Sequence, residues 1–211
     1  PLYDLALKQG ARVAERHGWE LPLTYDNIEA EYTAAMEGIT LHDSSYVGRI
    51  KATGDDVLDL LNRISTNEVV NLQPGQGAPT VLTTDRGRII DVITILNLAD
   101  QALLITSPQS KDAVIKWIDK YTIVEDVVCE DITFNTAMLS MIGTGAKEAL
   151  GTCVGLELEF FEPYQSAIVN IEGADAYIIR RDLVDLPRFE VIVAKDDAPW
   201  VWNALTSAGA V

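Results

Sequence analysis

The segment that decides the fold is DRGRIIDVITIL, residues 85–96, in which a polar turn leads into an apolar strand carrying one carboxylate, Asp91. Successive side chains of a strand point to opposite faces, so Asp91 shares a face with isoleucines and Val92 lies on the other. Both faces are largely apolar, which predicts a strand buried on both sides. An ionised carboxylate there needs donors or a cation. Asp91 is therefore either held by neighbouring donors or available to a ligand.

The residues around this segment predict an antiparallel meander over residues 80–106, with hairpin turns at 85–87 and 99–101. Apolar spacing predicts helices as well as further strands. Short hairpin links between strands, with helices between them, predict an α+β fold with antiparallel sheets. The helices are expected over residues 2–18, 28–38 and 109–121, and the further strands over residues 136–142, 167–180 and 189–194.

The composition is that of a soluble globular protein with one large domain or two modest ones, because 48% of the 211 residues are hydrophobic and 23% are charged. The 32 acidic residues against 16 basic ones give a net charge of −16, which disfavours nucleic acid and anionic membranes as partners. No apolar run approaches the ~20 residues of a membrane span, and no signal peptide is recognisable.

The two cysteines, Cys129 and Cys153, lie far apart and outside any CxxC pair. This spacing predicts neither a disulfide framework nor a metal site, and it favours a reducing, cytoplasmic location. The polar cluster HDSS, residues 42–45, contains the residue types of a nucleophilic triad. Triad members normally come from separate segments, so turn or capping roles are expected for this cluster.

Several motifs occur in the order and spacing of one known family. They are PLYDL, GAR and GWELPLTY near the start, LHDSSYVGRIKATGDDVLDLLNRISTNEVVNLQPGQG, DRGRIID, and RFEVIV followed by APWVWNALTSAG. In these motifs the chain closely resembles the folate-binding aminomethyltransferase family, the T-protein of the glycine cleavage system. The family's usual forms are GWEMP, DVSHMGRIEVTG, TTNDV, GGIIDDL and RTGYTGEDGFEI. The resemblance covers essentially all 211 residues.

The resemblance implies a discontinuous layout of two domains. Residues 1–46 and 137–211 would form a first α/β folate-binding domain, and residues 47–136 would form an inserted ferredoxin-like antiparallel-sheet domain. Family members continue for more than a hundred residues into a C-terminal barrel that these 211 residues do not include. A chain that supplies this part is therefore one implied partner, beside folate and a lipoyl carrier protein.

The resemblance also implies a catalytic position. In the family, the second aspartate of GGIIDDL contacts folate at the reacting nitrogens. The alignment with GRIIDVI places Asp91 on the first aspartate and Val92 on the second. A one-residue bulge would move Asp91 to the other face of the strand, so Asp91 is the candidate catalytic residue.

The other site residues implied by the resemblance would bind tetrahydrofolate. Glu190 stands in FEV where the family has FEI, and would read the amino and ring N–H groups of the pterin. Ser107 aligns with an asparagine near the folate, and Phe160 and Phe161 would stack on a flat heterocycle. Alternatively, Glu190 is a solvent-facing strand residue and the aromatic pair belongs to the core.

The implied function is transfer of a one-carbon unit from an aminomethyl or methylamine donor to tetrahydrofolate. Catalysis would consist mainly of positioning and proton management around the folate N5 and N10 atoms. Two alternatives use the same scaffold. One is a non-catalytic folate-binding or interaction protein, similar to relatives that support iron–sulfur enzymes, although their KGCYxGQE-like segment is absent here. The other is a tetrahydrofolate-dependent demethylase.

Overall fold

A computed structural model describes residues 1–25, 27–158 and 161–210. The chain divides into two compact units. The first unit comprises Pro1–Tyr46, Asn135–Pro163 and Ala167–Val211, and the second comprises Val47–Phe134 and Tyr164–Ser166. Within the part of the chain that is described, no helix is long and apolar enough to cross a membrane.

Helices alternate with groups of two or three consecutive strands, as expected for an α+β protein. In chain order they are α1 (Tyr3–Lys8), β1 (Arg12–Arg16), β2 (Trp19–Thr24), α2 (Ile28–Glu37), β3 (Thr40–Asp43), β4 (Gly48–Thr53), α3 (Val57–Ile64), β5 (Gly77–Thr83), β6 (Ile89–Asn97), β7 (Ala102–Thr106), α4 (Lys111–Tyr121), β8 (Val128–Asp131), β9 (Thr136–Ile142), α5 (Ala146–Val154), β10 (Ser166–Ile171), β11 (Ala174–Arg180), β12 (Arg188–Ala194) and α6 (Ala198–Ser207).

The first unit is built on a five-stranded sheet with the order β10-β11-β12-β9-β3, accompanied by the hairpin β1-β2. Alternate residues of β12, Phe189, Val191 and Val193, join a buried apolar core with residues of α5 and α6. Because side chains alternate along a strand, Glu190 lies on the opposite face of this sheet. In the antiparallel register, Ser140 of β9 lies directly beside Glu190.

The second unit has a five-stranded sheet with the order β5-β6-β7-β4-β8. Its core joins Ile93 and Ile95 of β6 to residues of α3 and α4 such as Leu60 and Ile118. The two helices therefore cover one face of the sheet. The order β6-β7-β4-β8, with these two helices, is a ferredoxin-like arrangement, to which β5 adds an edge strand. The predicted α+β class with antiparallel sheets is confirmed, as is the meander β5-β6-β7.

The predicted helix over residues 2–18 is wrong beyond its first turns. Only Tyr3–Lys8 is helical, and Arg12–Arg16 pairs with Trp19–Thr24 as an antiparallel hairpin. Gly10 takes a positive φ of 86°, which ends the helix, and His17 and Gly18 both take positive φ at the hairpin turn. Two successive residues with positive φ are typical of the tight turns that join two strands. The apolar spacing alone did not distinguish the two structures.

Candidate functional site

Glu190 is the centre of a buried polar cluster in the first unit. It lies in the middle of β12 and its exposure is 0%. Ser140 donates its hydroxyl to Glu190 Oε2 at 2.5 Å, and the guanidinium nitrogens Arg188 Nη2 and Arg181 Nη1 lie 2.5 and 3.5 Å from Oε1. The alternative that Glu190 is a solvent-facing strand residue is therefore wrong.

The strand geometry explains why these groups meet. Arg188 precedes Glu190 by two residues in the same strand, so both side chains lie on the same sheet face. Ser140 reaches the carboxylate from the neighbouring strand β9. The close contact of Arg188 Nη2 is an ion pair that is not aligned as a hydrogen bond, because Glu190 Oε1 accepts none among the described residues; Arg188 Nε also has no partner there. One carboxylate oxygen therefore has a cation beside it but accepts no aligned hydrogen bond.

A chain of hydroxyl groups extends the cluster towards β3. The Oγ atoms of Ser44 and Ser140 lie 2.6 Å apart, and Arg188 Nη2 donates to Ser140 Oγ at 3.3 Å. Within the HDSS segment, the backbone N–H of Ser45 donates to Asp43 Oδ1 at 2.9 Å, a local turn bond. The predicted turn role of this segment is thus confirmed for Asp43. Ser44 is instead part of the polar cluster.

His42 lies opposite Ser140 in the register of β3 and β9, on the same sheet face as Glu190. His42 is exposed to solvent, and its imidazole packs edge-on against Tyr46, with ring centroids 6.2 Å apart. The surrounding protein lowers the pKa of His42 by removing water from the imidazolium. The charge of Asp43 acts against this shift, Arg188 adds to it, and Glu190 again opposes it.

Asp91 and Ser107 meet in the second unit. Asp91 is 5% exposed; its Oδ1 accepts the Ser107 hydroxyl at 2.6 Å and the N–H of Val92 at 2.9 Å, and its Oδ2 accepts the Ser107 N–H at 2.8 Å. Of the two readings that the sequence leaves open, the structure shows the one with neighbouring donors. These hydrogen bonds hold the connection between β7 and α4, which begins with Ser107, against strand β6.

The pairing of β5 with β6 contains the kind of irregularity that would exchange the strand's faces. The register shifts between Leu82 and Thr83, which oppose Asp91 and Ile89 and leave Ile90 as the extra residue. The bulge lies before Asp91, and regular alternation follows it. Asp91 therefore stays on the helix-covered face with Ile93, and Val92, which is 57% exposed, lies on the other face. The catalytic role of Asp91 remains a prediction.

The aromatic pair is only half described, because Phe160 lies outside the described residues. Phe161 is partly buried and packs against the core of the first unit, as the alternative reading for this residue proposed. Its backbone N–H donates to the carbonyl of Leu158 at 3.2 Å, and its own carbonyl accepts a hydrogen bond from Arg180. Phe161 thus has a packing role, and a stacking role remains a prediction.

Three partners of Glu190 were missed by the sequence analysis. Arg188 could have been found, since a cation two residues before an acid on one strand shares its face. Ser140 reaches Glu190 from β9 and Arg181 reaches it from the segment after β11, and the pairing of these strands cannot be read from local spacing. Of the predicted residues, Asp91 and Ser107 belong to the second unit, and Glu190 and Phe161 to the first.

Comparison with known proteins agrees with this architecture. The family described as the GCVT N-terminal domain matches residues 2–211. Proteins named aminomethyltransferase from Halalkalibacterium halodurans and Halothermothrix orenii are each 30% identical to this chain. Each of these alignments covers 99% of this chain and 58% of the relative. The chain therefore spans less than two thirds of the length of these relatives.

Solved structures share the fold. The crystal structure of the glycine cleavage system aminomethyltransferase T from Bartonella henselae matches with a TM-score of 0.86 at 22% identity, over 97% of this chain and 56% of that one. A chain of heterotetrameric sarcosine oxidase from Corynebacterium sp. U-96 matches with a TM-score of 0.62 at 14% identity, over 87% of this chain and 93% of that one. The predicted T-protein fold is confirmed, and the chain belongs to the GCVT N-terminal domain family, a folate-binding family that includes the aminomethyltransferases.

Proposed function

We propose that this chain is the folate-binding part of a tetrahydrofolate-dependent aminomethyltransferase. The donor of the one-carbon unit would be either the aminomethyl group on a lipoyl carrier protein or a methylamine. The protein would transfer that carbon to tetrahydrofolate. With an aminomethyl donor, the carbon becomes bonded to folate N5 and N10, and ammonia and the carrier thiol leave. The family membership and the geometry around Glu190 support this proposal.

The observation that carries the proposal is the state of the Glu190 carboxylate. A carboxylate at 0% exposure is retained only when its surroundings stabilise its charge. Here Ser140 satisfies Oε2, whereas Oε1 accepts no aligned hydrogen bond within the described part of the chain. A pterin presents an amino group and a ring N–H side by side, which suits a carboxylate whose Oε1 has the cation Arg188 beside it but accepts no aligned hydrogen bond. Glu190 would therefore bind and orient the pterin.

The remaining predicted residues have supporting roles in this proposal. Ser107 would contact the folate, with its hydroxyl fixed by Asp91 at 2.6 Å. Asp91 would manage protons through this hydroxyl, because its own oxygens already accept three bonds. Phe160 and Phe161 would line the flat face of the heterocycle. The two compact units would be the two domains that the family resemblance implies.

A second candidate, a folate-binding protein without transfer activity, is favoured by one observation. Val92 stands at the family's second aspartate position and cannot accept a proton, while Asp91 lies on the helix-covered face. Reactive thiols do not replace this acid, since burial raises the pKa of Cys129 to about 11 and also raises the pKa of Cys153. Both thiols therefore stay protonated near neutral pH.

The test combines binding with turnover. The chain is titrated with tetrahydrofolate in a calorimeter under anaerobic conditions, and methylene-tetrahydrofolate is then assayed with an aminomethyl-lipoyl carrier protein. Binding with turnover supports the transferase. Binding without turnover supports the non-catalytic protein, and adding the C-terminal part of a relative in trans then tests whether turnover requires the part of the relatives that this chain does not span. Absence of binding would overturn both candidates.

A further inference from the structure

Arg188 lies beside the oxygen of Glu190, Oε1, that the proposed function assigns to the pterin. The carboxylate assigned to the pterin already has a cation beside it, Arg188, whose Nη2 lies 2.5 Å from Oε1. Glu190 is fully buried, so a ligand cannot approach Oε1 while leaving every neighbour in place. Either Arg188 moves when a ligand binds, or Glu190 does not bind the ligand.

The chemistry of the two competitors is similar. A guanidinium presents parallel N–H donors that match the two oxygens of a carboxylate, and the amino and ring N–H groups of a pterin present the same kind of edge. Both would use the same oxygen of Glu190, because Oε2 is occupied by the Ser140 hydroxyl. Oε1 is fully buried and already has Arg188 Nη2 at 2.5 Å and Arg181 Nη1 at 3.5 Å, so a further donor can reach it only after Arg188 has left.

The observed ion pair is suited to opening. A well-aligned buried pair would resist separation, because removing one partner leaves an uncompensated charge. In this pair, however, neither Arg188 Nε nor Glu190 Oε1 has a hydrogen bond within the described residues. The Arg188 side chain also retains 21% exposure, so its flexible stem has a route to solvent. When it leaves, Arg188 loses this contact and the 3.3 Å hydrogen bond from its Nη2 to Ser140 Oγ, but it loses no bidentate contact with the carboxylate.

We propose that Arg188 is a gate on the ligand-binding carboxylate, occupying Glu190 until a ligand with a paired N–H edge replaces it. This inference rests on the proposed folate function and adds a specificity requirement to it. Ligands without such an edge cannot compensate the charge of Glu190 and so cannot displace Arg188. The gate also lowers the apparent affinity, because only the molecules in which Arg188 is away from Glu190 can bind the ligand. The smaller this fraction is, the weaker the apparent binding.

The test measures binding of 5-formyltetrahydrofolate, which resists oxidation, to the wild-type chain and to Arg188→Met. We expect the variant to bind about tenfold more tightly, since Arg188 no longer has to leave Oε1, while Arg181 stays 3.5 Å from it in both proteins. The gain should lie in the association rate constant, measured by stopped-flow fluorescence, because Arg188 acts before the ligand arrives. Arg63→Met is the matched control, because it removes the same charge from an exposed ion pair in the second unit. It should change neither the association nor the dissociation rate constant.

Circular dichroism and thermal melting first establish that Arg188→Met folds. If it does not, Arg188→Lys replaces it, since an ammonium keeps the charge but lacks the planar fork, and several-fold tighter binding is expected. Unchanged or weaker binding by the folded variant, with normal binding by the wild type, would overturn the gate and leave the folate function intact. Absence of binding by every variant would overturn the folate function and the gate with it.

Discussion

At the scale of single residues, Glu190 is the position where the folate proposal is most directly tested. Replacing it by Gln keeps its shape but removes the charge that donors on a pterin would meet. We expect Glu190→Gln to weaken folate binding by about 1–3 kcal/mol, the range for a lost hydrogen bond to a charged group. Calorimetric titration measures the change, and Glu20→Gln, an exposed strand residue of the same unit, is the control. Equal affinities for Glu190→Gln and the wild type would remove Glu190 from the binding site.

His42 gives a prediction about pH. Its folded-state pKa lies below the ordinary value, so the unfolded chain takes up a proton on this residue at higher pH than the folded protein does. Proton uptake therefore favours unfolding, and the stability contributed by neutral His42 is complete above about pH 6.5 and lost below it. Arg188 strengthens this effect, while Asp43 and Glu190 weaken it.

The measurement compares the free energy of unfolding in urea at pH 7.5 and pH 5 for the wild type and for His42→Gln. We expect a smaller decrease for the variant, because glutamine does not titrate. His17→Gln removes the other histidine of the chain, whose ring stacks on the same tyrosine, Tyr46, and serves as the control. An identical pH dependence in the wild type and His42→Gln would contradict the prediction.

At the scale of elements, the contact between Asp91 and Ser107 links strand β6 to the connection that leads into α4. Two hydrogen bonds from Ser107 and one from the Val92 N–H converge on this buried carboxylate, so Asp91→Ala leaves the Ser107 N–H without its acceptor. We expect this substitution to lower the free energy of unfolding by about 1–3 kcal/mol. Chemical denaturation measures the loss, and the exposed Asp100→Ala is the control.

A second substitution at this position, Asp91→Asn, separates a structural role of Asp91 from a chemical one. Asp91→Asn keeps the size of the side chain and one acceptor oxygen, so it should fold. If Asp91 manages protons through Ser107, turnover falls in Asp91→Asn while folate affinity stays close to that of the wild type. Unchanged turnover in a folded Asp91→Asn would assign Asp91 to structure alone.

At the scale of the whole molecule, the net charge of −16 makes the folded protein sensitive to salt. Like charges repel more strongly in the compact state, and salt shortens the range of this repulsion from about 30 Å at 10 mM to about 8 Å at 150 mM. We therefore expect the melting temperature to rise by several degrees over this interval. Differential scanning calorimetry in NaCl and in KCl measures it, and a melting temperature that falls in both salts would contradict the expectation.

Much of the molecule follows from sequence pattern alone. The alternation in residues 85–96 predicts β6, the Gly87 turn predicts its hairpin with β5, and helical spacing predicts α2 and α4. These elements depend on side-chain periodicity and on turn residues, which are local properties. The family and the α+β fold follow from motifs spread over the whole chain. Local pattern failed at residues 12–16, where hairpin pairing overrode apolar spacing that also suits a helix.

The environment of the two carboxylates was decided by the tertiary structure. Sequence left Asp91 between neighbouring donors and a ligand, and only the fold shows that Ser107, in the connection after β7, donates to it. Likewise, sequence did not show that Glu190 has no exposure or that Ser140 and Arg181 meet it, since those contacts join residues about 50 and 9 positions apart through sheet pairing. Periodicity determines which face a side chain takes, whereas its charge partners depend on which strands become neighbours.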